Sequence, residues 1–382
     1  MKRGWSQKPL GDLVDVLDRL RKPITKKDRK AGPYPYYGAT GVLDYVDGYL
    51  FNEPLVLIGE DGAKWEAGAN SAFPIVGKTW VNNHAHVIRP HRNKVLDDWL
   101  IYYLNGADLM PFISGMTVPK LNQGRLLEIP IPLPPLEEQR RIVAVLDEAF
   151  EGLARARAHA EANLQNARDL FVASLRSLFS DNRENWPLRN IADVCSEFGR
   201  GKSRHRPRND PHLYGGDMPF VQTGDLSKAD HFLREFSQTY SAEGVAQSRV
   251  WPKGTVCIAI VGATIGESAI LEFNACFPDS IIGMVPDPGK ADSEFLDFLL
   301  QFVKTDLKEA GKGSARDNIN LRTFSDRLFP IPDLKAQLAA IERISEIDKE
   351  CRELNTEYAT KLQDLDDLRQ SLLQKAFAGE LT

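Results

Sequence analysis

From Glu137 to Phe179 apolar and small residues return at alternating intervals of four and three. They are Ile142, Leu146, Ala149, Leu153, Ala156, Ala160, Asn163, Ala167, Leu170 and Ser174. The pattern recurs near the end of the chain through Ile344, Ile347, Cys351, Leu354, Tyr358, Lys361, Leu365, Leu368 and Leu372. A stripe with a mean spacing near 3.5 and charge on both flanks is a coiled-coil seam. Two long helices are therefore predicted, each about 40 residues and roughly 60 Å at 1.5 Å per residue. So narrow a seam is better buried against its own counterpart than on a globular surface. With one such helix in each half of the chain, an antiparallel intrachain pair with a pseudo-two-fold axis is the expected closure.

The remaining sequence alternates short apolar runs with Gly and Pro. Pro54–Gly59, Val256–Gly262 and Ser280–Val285 read as strands bounded by turns, and so does the shorter Ile191–Val194. Asp97–Asn105 and Ser293–Leu307 read as short helices. The fold class is thus α/β (mixed α+β), and it is built twice. Pro9–Val16 returns as Pro187–Val194, Pro35-Tyr36-Tyr37 as Pro219-Phe220-Val221, and Val56–Ala63 as Val256–Ala263. Leu121-Asn122 and Pro132–Gln139 return as Ile319-Asn320 and Pro330–Gln337. The offset drifts from 178 to 200 and settles at 198, which places extra loop residues of the second copy near 200–216. The repeat divides the chain into two globular domains, 1–136 and 180–332, and two long helices, 137–179 and 333–382.

Composition narrows the function. The 382 residues carry a net charge of −5, so any polyanion must be met by local patches. The four cysteines Cys195, Cys257, Cys276 and Cys351 form no CxxC pair, which excludes a zinc ribbon or disulfide framework and suits a reducing cytoplasm. No run is long and apolar enough for a membrane span. Catalytic signatures are incomplete. Gly201-Lys202-Ser203 has Ser196 where a phosphate-cradling loop needs Gly. Pro286-Asp287 with Asp306-Leu307-Lys308 imitates a nuclease pattern but reads as surface charge. His84-Ala85-His86 would place two imidazoles on one strand face with no third ligand evident, so a structural or DNA-facing pair is expected.

The basic residues are grouped. Arg200 to Arg208 reads Arg-Gly-Lys-Ser-Arg-His-Arg-Pro-Arg, with five cations and no acid. The matching place in the first copy holds Arg19, Arg21, Lys22, Lys26, Lys27, Arg29 and Lys30 against one acid, Asp28. Two basic segments at equivalent positions look like paired phosphate-contacting surfaces. Polar stretches recur as well: Thr117, Lys120, Asn122 and Gln123, then Ser314, Arg316, Asn318 and Asn320. These are side chains able to read base edges. The candidate DNA-binding residues are therefore Lys22, Lys26, Lys27, Arg29, Lys30, Lys120 and Asn122, with Arg200, Lys202, Ser203, Arg204, Arg206, Arg208, Arg316, Asn318 and Asn320.

Ile131–Val143, leading into the first long helix, and Leu368–Leu381, ending the second, resemble segments of the specificity subunits of type I restriction–modification enzymes. Gly201-Lys202-Ser203 and Pro219–Leu226 are similar to segments of their target recognition domains. The resemblance spans essentially the whole chain. It implies two target recognition domains, each reading one half of a bipartite asymmetric DNA site, with the long helices as spacers. It also implies that modification (methyltransferase) subunits, two of them, dock on those helices, that an ATP-dependent restriction subunit joins, and that this chain performs no chemistry. No cofactor is expected in it, with S-adenosylmethionine and ATP carried by the partners. Docking is expected around Leu136, Glu138, Gln139 and Arg140, and around Leu334 and Gln337. The second copy has Asp333-Leu334-Lys335-Ala336 where the first has Pro135-Leu136-Glu137-Glu138, so the two surfaces differ. The competing readings are a coiled-coil scaffold without sequence-specific DNA binding and a DNA-modifying enzyme with unrecognised motifs. Deleting one heptad from each long helix is expected to change the gap between the half-sites and leave the half-sites intact. A methylation map in which the half-sites themselves change would overturn this division of labour.

Overall fold

The computed structural model describes residues 4–115, 117–205, 207–312 and 319–381. Packing divides the chain into two units. One comprises the residues up to Asn163 with those from Tyr358 on, and the other runs from Leu164 to Glu357.

The first unit begins with β1 (Ser6–Pro9), β2 (Val14–Val16), β3 (Ala31–Gly38), β4 (Gly41–Val46) and β5 (Phe51–Asn52). There follow β6 (Leu55–Gly59), β7 (Ala72–Ile75), β8 (Lys78–Val81), β9 (Ala85–Pro90), α1 (Asp97–Gly106), α2 (Gln123–Leu127) and β10 (Pro130–Leu133). Every residue of β6 is buried, as an apolar run without polar alternation requires. It lies inside a sheet of order β2-β9-β6-β7, beside a second sheet of order β4-β3-β8-β5. Helix α1 lays Trp99, Leu100 and Leu104 against Val56, Ile58 and Ile88 to form the core. Strands β1 and β10 pair antiparallel, with the Trp99 indole donating to the Pro132 carbonyl at 2.9 Å.

The second unit builds the same topology. Its strands are β11 (Leu188–Asn190), β12 (Cys195–Arg200), β13 (Tyr214–Phe220), β14 (Phe232–Leu233), β15 (Gln238–Tyr240), β16 (Val250–Trp251) and β17 (Val256–Ala259). They continue with β18 (Ser268–Leu271), β19 (Ala275–Cys276), β20 (Ile281–Pro286) and β21 (Leu328–Pro330). The sheet orders are β12-β20-β17-β18-β14 and β15-β13-β19-β16, so each strand of the first unit has a counterpart in the same place. Strands β11 and β21 repeat the pairing of β1 and β10. Strand β14 has no counterpart and pairs parallel with β18 at the sheet edge.

Three local expectations change. Ile191–Val194 forms a 3-10 turn instead of a strand, because the Asn190 side chain caps Ala192 N–H and the i, i+3 spacing buries both Ile191 and Val194. Ser293–Leu307 breaks at Val303 into α6 (Ser293–Phe302) and a helix from Lys304 to Lys312. The extra residues of the second copy fall mostly beyond 216. The offset is 184 at Pro35/Pro219 and 200 at Val56/Val256. The added chain builds short helices at Thr223–Leu226 and Ala242–Ala246 as well as β14.

Two helices of 46 and 45 residues, Leu136–Asp181 and Leu334–Ala378, are shared between the units and pack against each other. The first unit holds the start of one and the end of the other. There Arg157 pairs with Asp366 at 2.6 Å, and Ile142 and Leu146 share a core with Leu373 and Ala376. The second unit holds the opposite ends, with Leu175 and Phe179 in one core with Ala340 and Ile344. The pairing is therefore antiparallel. The seam departs from the expected residues at Leu170 and Leu368, which are about half exposed, and at Ala156, Asn163 and Lys361, which are also exposed. Leu175, Leu373 and Ala376 bury instead, and Phe171 is half-buried against the core. A straight helix drifts about 20° per heptad from a 3.5 repeat, and both ends are turned toward globular cores rather than toward each other alone.

The fourth residue of each long helix is a glutamine with no exposed surface. Gln139 accepts from Leu96 N–H at 2.9 Å and donates to the carbonyls of Lys94 and Pro134 at 3.0 and 2.9 Å. Gln337 accepts from Asp292 N–H at 2.9 Å and donates to the carbonyls of Lys290 and Pro332 at 2.9 and 2.8 Å. Each amide ties its helix to the loop before α1 or α6 and to a proline between the preceding strand and the helix. Both were expected on a docking surface; both are spent inside the chain. Leu136, Glu138 and Leu334 are half-buried, and Arg140 is exposed beside Glu137. Gln139→Leu or Gln337→Leu leaves a buried N–H and two carbonyls without partners. The expected cost is roughly 2–4 kcal/mol each in urea unfolding. A cost under about 0.5 kcal/mol, the scale of an ordinary surface substitution, would contradict the clamp.

Candidate DNA interface

In the first unit the basic segment is the chain between β2 and β3, residues 17–30. It is pinned over the second sheet. Lys22 N–H donates to the Val81 carbonyl, Trp80 donates to the Lys22 carbonyl at 2.6 Å, and Ile24 N–H donates to the hydroxyl of buried Tyr36 at 2.9 Å. Arg29 lies 4.4 Å above the Tyr36 ring and pairs with Asp44 at 3.2 Å, so it anchors the segment. Lys22, Lys26, Lys27 and Lys30 are exposed and make no ion pair among the described residues. With the backbone held, these four ammonium groups form a local positive surface on an acidic chain.

Sequence reasoning passed over the aromatic surface of the same sheet. Tyr34 and Tyr49 meet edge to face at 5.3 Å, with the Lys78 ammonium 5.6 and 4.9 Å from their rings. Tyr45, Leu43 and Val42 on β4 are exposed. The signal was a series of tyrosines at 34, 36, 45 and 49, of which only Tyr36 is taken into the core. Exposed apolar and aromatic groups beside lysines suit contact with sugars and thymine methyls.

The polar stretch 117–123 is joined to the basic segment by a buried ionic cluster. Asp18 bonds the His86 imidazole Nδ1 at 2.6 Å and accepts from Val87 N–H at 2.8 Å. His86 Nε2 faces the Leu121 carbonyl at 2.7 Å. Arg21 pairs with Asp18 and Glu60, and Lys120 pairs with Glu60 at 2.8 Å. Burial opposes ionisation of Glu60, but the bonds from Lys120 and Arg21 outweigh it and its carboxyl titrates below the usual range. Lys120 and Asn122 are thus engaged within the chain, Asn122 donating to Ser114 Oγ at 2.6 Å, while Thr117 and Gln123 are exposed. The two histidines do not share a face. His84 sits in the turn before β9 and pairs with Asp61, whereas His86 is buried in the strand. The Asp18, Glu60 and His86 ligand atoms lie within 4.8 Å of one another, a spacing open to a metal ion. Arg21 and Lys120 already supply positive charge to these carboxylates, which makes a cation here redundant.

In the second unit the basic segment follows β12. Gly201 is wedged in, since a Cβ there would lie 2.1 Å from the Phe277 carbonyl oxygen. Gln247 Oε1 accepts from the backbone of Arg204 and His205, and Ser248 donates to the Lys202 carbonyl. Arg208 pairs with Asp279 at 2.9 Å, and its carbonyl accepts from Tyr214. Lys202 and Arg204 are exposed and unpaired among the described residues. Ser203 is buried, and Arg200 is half-buried. Asn320 turns out to be a helix cap, its side chain accepting from Arg322 and Thr323 N–H. Arg206, Ser314, Arg316 and Asn318 lie outside the described residues. The carboxylates of the nuclease-like pattern go elsewhere: Asp306 pairs with Arg327 and Asp287 with Lys290. No helix of the described residues is long and apolar enough to cross a membrane.

Comparison with known proteins places this architecture. The type I restriction modification DNA specificity domain matches residues 2–159 and again 183–364. A putative type I restriction enzyme specificity subunit of Haemophilus influenzae is 29% identical over 339 residues, 86% of this chain and 84% of that one. The EcoDI specificity subunit of Escherichia coli is 22% identical over 99% of this chain and 89% of its own. Among solved structures, a chain of a type I restriction–modification system covers all of this chain and 99% of itself, with a TM-score of 0.78 at 18% identity. The HsdS subunit of Thermoanaerobacter tengcongensis covers all of this chain and 98% of itself, with a TM-score of 0.56 at 19% identity. Two domain matches in the order of the internal repeat, on a fold shared with these subunits, show that this chain belongs to the type I restriction–modification DNA specificity family.

Proposed function

We propose that the chain is the sequence-reading subunit of a type I restriction–modification complex and that each unit reads one half of a bipartite, asymmetric DNA site. The observation that carries this reading is one topology built twice with different side chains on it. Equal frameworks present two heads, and unequal segments give them different targets. Lys22, Lys26, Lys27 and Lys30 contact phosphates from the first unit, and Lys202 and Arg204 do so from the second. The tyrosine surface of the first unit and the exposed polar residues Thr117 and Gln123 reach base edges. The chain contributes recognition and no chemistry. Two modification subunits carrying S-adenosylmethionine dock on the long helices, a restriction subunit consuming ATP completes the complex, and the assembly works in the cytoplasm.

A long-read methylation map of cells with and without the gene, co-expressed with its methylase partner, tests the reading. The expected result is loss of a single two-part asymmetric motif on deletion. An unchanged map with an active methylase would overturn it. Phosphate binding has its own signature. Lys26→Ala with Lys27→Ala, or Lys202→Ala with Arg204→Ala, should weaken binding across all sequences. The slope of log affinity against log salt should become shallower by about 0.9 for each phosphate no longer neutralised. An unaltered slope would leave these residues off the DNA.

A further inference from the structure

Among the described residues the ionic cluster of the first unit has no counterpart in the second, although the two frameworks share the same strand register. In the first unit β6 and β9 set Val56 opposite Ile88 and Ile58 opposite His86. In the second, β17 and β20 set Val256 opposite Met284 and Ile258 opposite Ile282. Glu60 is the residue whose carbonyl accepts from Leu121 N–H, and Ile260 accepts in the same way from Ile319. His86 and Glu60 therefore correspond to Ile282 and Ile260, both fully buried. One unit carries charge where its copy carries two isoleucines.

The charge costs solvation that only complete pairing recovers, so its placement has a consequence. Asp18 and Arg21 belong to the segment bearing Lys22, Lys26, Lys27 and Lys30. Lys120 and the Leu121 carbonyl belong to the loop that bears Thr117 and leads into Gln123 of α2. Glu60 and His86 stand between them at the end of β6 and the start of β9. Through these two strand-end residues, the bonds of the cluster link one exposed segment to the other. Asp18 is 9% exposed, Glu60 10% and His86 1%, so these three do not present themselves to DNA. The second unit holds its basic segment by neutral hydrogen bonds to Gln247, which accepts, and from Ser248 and Tyr214, and by the exposed Arg208–Asp279 pair.

We propose that Asp18, Glu60 and His86 are positioning residues for the half-site read by the first unit, holding its basic segment and its 117–122 loop in one fixed relation. The half-site read by the second unit is independent of them. This rests on the reading of the chain as a two-headed DNA specificity subunit. Glu60→Gln removes the charge that holds Arg21 and Lys120 at nearly constant volume. Asp18→Asn removes the charged partner of the His86 imidazole yet keeps an oxygen for Val87 N–H.

The test uses the complex with its modification subunits and duplexes carrying the mapped site, or that site with one half or the other randomised. Discrimination is the affinity ratio of the intact to the half-randomised duplex, measured in variants that keep the wild-type near-ultraviolet circular dichroism. Glu60→Gln and Asp18→Asn should each lose at least tenfold discrimination at the same half and keep it at the other. A general loss of stability lowers the active fraction and leaves both ratios unmoved, so the readout separates positioning from simple destabilisation. Equal loss at both halves, or no loss at either with a discriminating wild type, overturns the proposal. A wild type that discriminates at neither half overturns the underlying reading as well.

Discussion

A long helix fixes the direction of what it carries only if its first turn is held, and here a buried glutamine amide does the holding in both copies. Gln139 and Gln337 each complete three hydrogen bonds to backbone groups on two neighbouring segments. A charged or shorter side chain could not satisfy the same N–H and two carbonyls. The seam between the helices, the docking of α1 and α6 beneath their first turns, and the pairing of β1 with β10 and β11 with β21 all depend on that angle. The helix ends complete the restraint. Phe377 packs edge to face on Trp99 and Tyr103 in the first unit, and Phe179 stacks on Phe302 in the second.

On this shared framework the two units diverge in kind as well as in detail. The first closes its polar surface with an ionic cluster and exposes tyrosines beside lysine. The second replaces the cluster with isoleucines and spends its extra residues on an edge strand and two short helices. One consequence is a further buried pair. His231, next to β14, bonds Asp297 of α6 at 2.6 Å and stacks on Phe298. Burial pulls the His231 pKa down, but Asp297, Glu294 and Asp348 together raise it above the usual histidine value. The stabilisation is complete below the ordinary histidine pKa and fades as pH rises through the elevated one. Chemical difference on a shared framework is what a chain needs if its two halves are to prefer different DNA sequences.

The basic segments also separate cations that hold the protein from cations left for a partner. Arg21, Arg29 and Arg208 bind carboxylates of their own chain, and Lys120 does too. Those left over among the described residues are mostly lysines, with Arg19, Arg200 and Arg204. Arginine's planar fork favours fixed geometry at a buried or stacked site, whereas the lysine ammonium stays hydrated until a phosphate displaces the water. Formal charge in a loop therefore overstates the number of cations available to DNA, because part of it is consumed in giving the loop its shape.

Much of the architecture was legible in the sequence. The repeat, the fully apolar strand at Val56 and Val256, and two heptad stripes follow from periodicity, which reports burial directly. The stripes still misplace Leu170, Leu368 and Lys361, because a seam is a relation between two helices and each helix also answers to a globular core. The basic segments were visible as composition, while Arg29, Arg208, Lys120 and Asn320 were assigned to DNA because a sequence does not show which cation or amide already has a partner. Gln139 and Gln337 stood out in the repeat, yet their burial needed the loops before α1 and α6, some 45 residues away in the chain. The sequence by itself determined the duplicated fold and the placement of charge, since both are patterns along the chain. Which charges are spent, and that Glu60 and His86 close an ionic cluster where Ile260 and Ile282 pack as core, was decided only by the tertiary structure, because hydrogen bonding and desolvation depend on neighbours brought together by strand register.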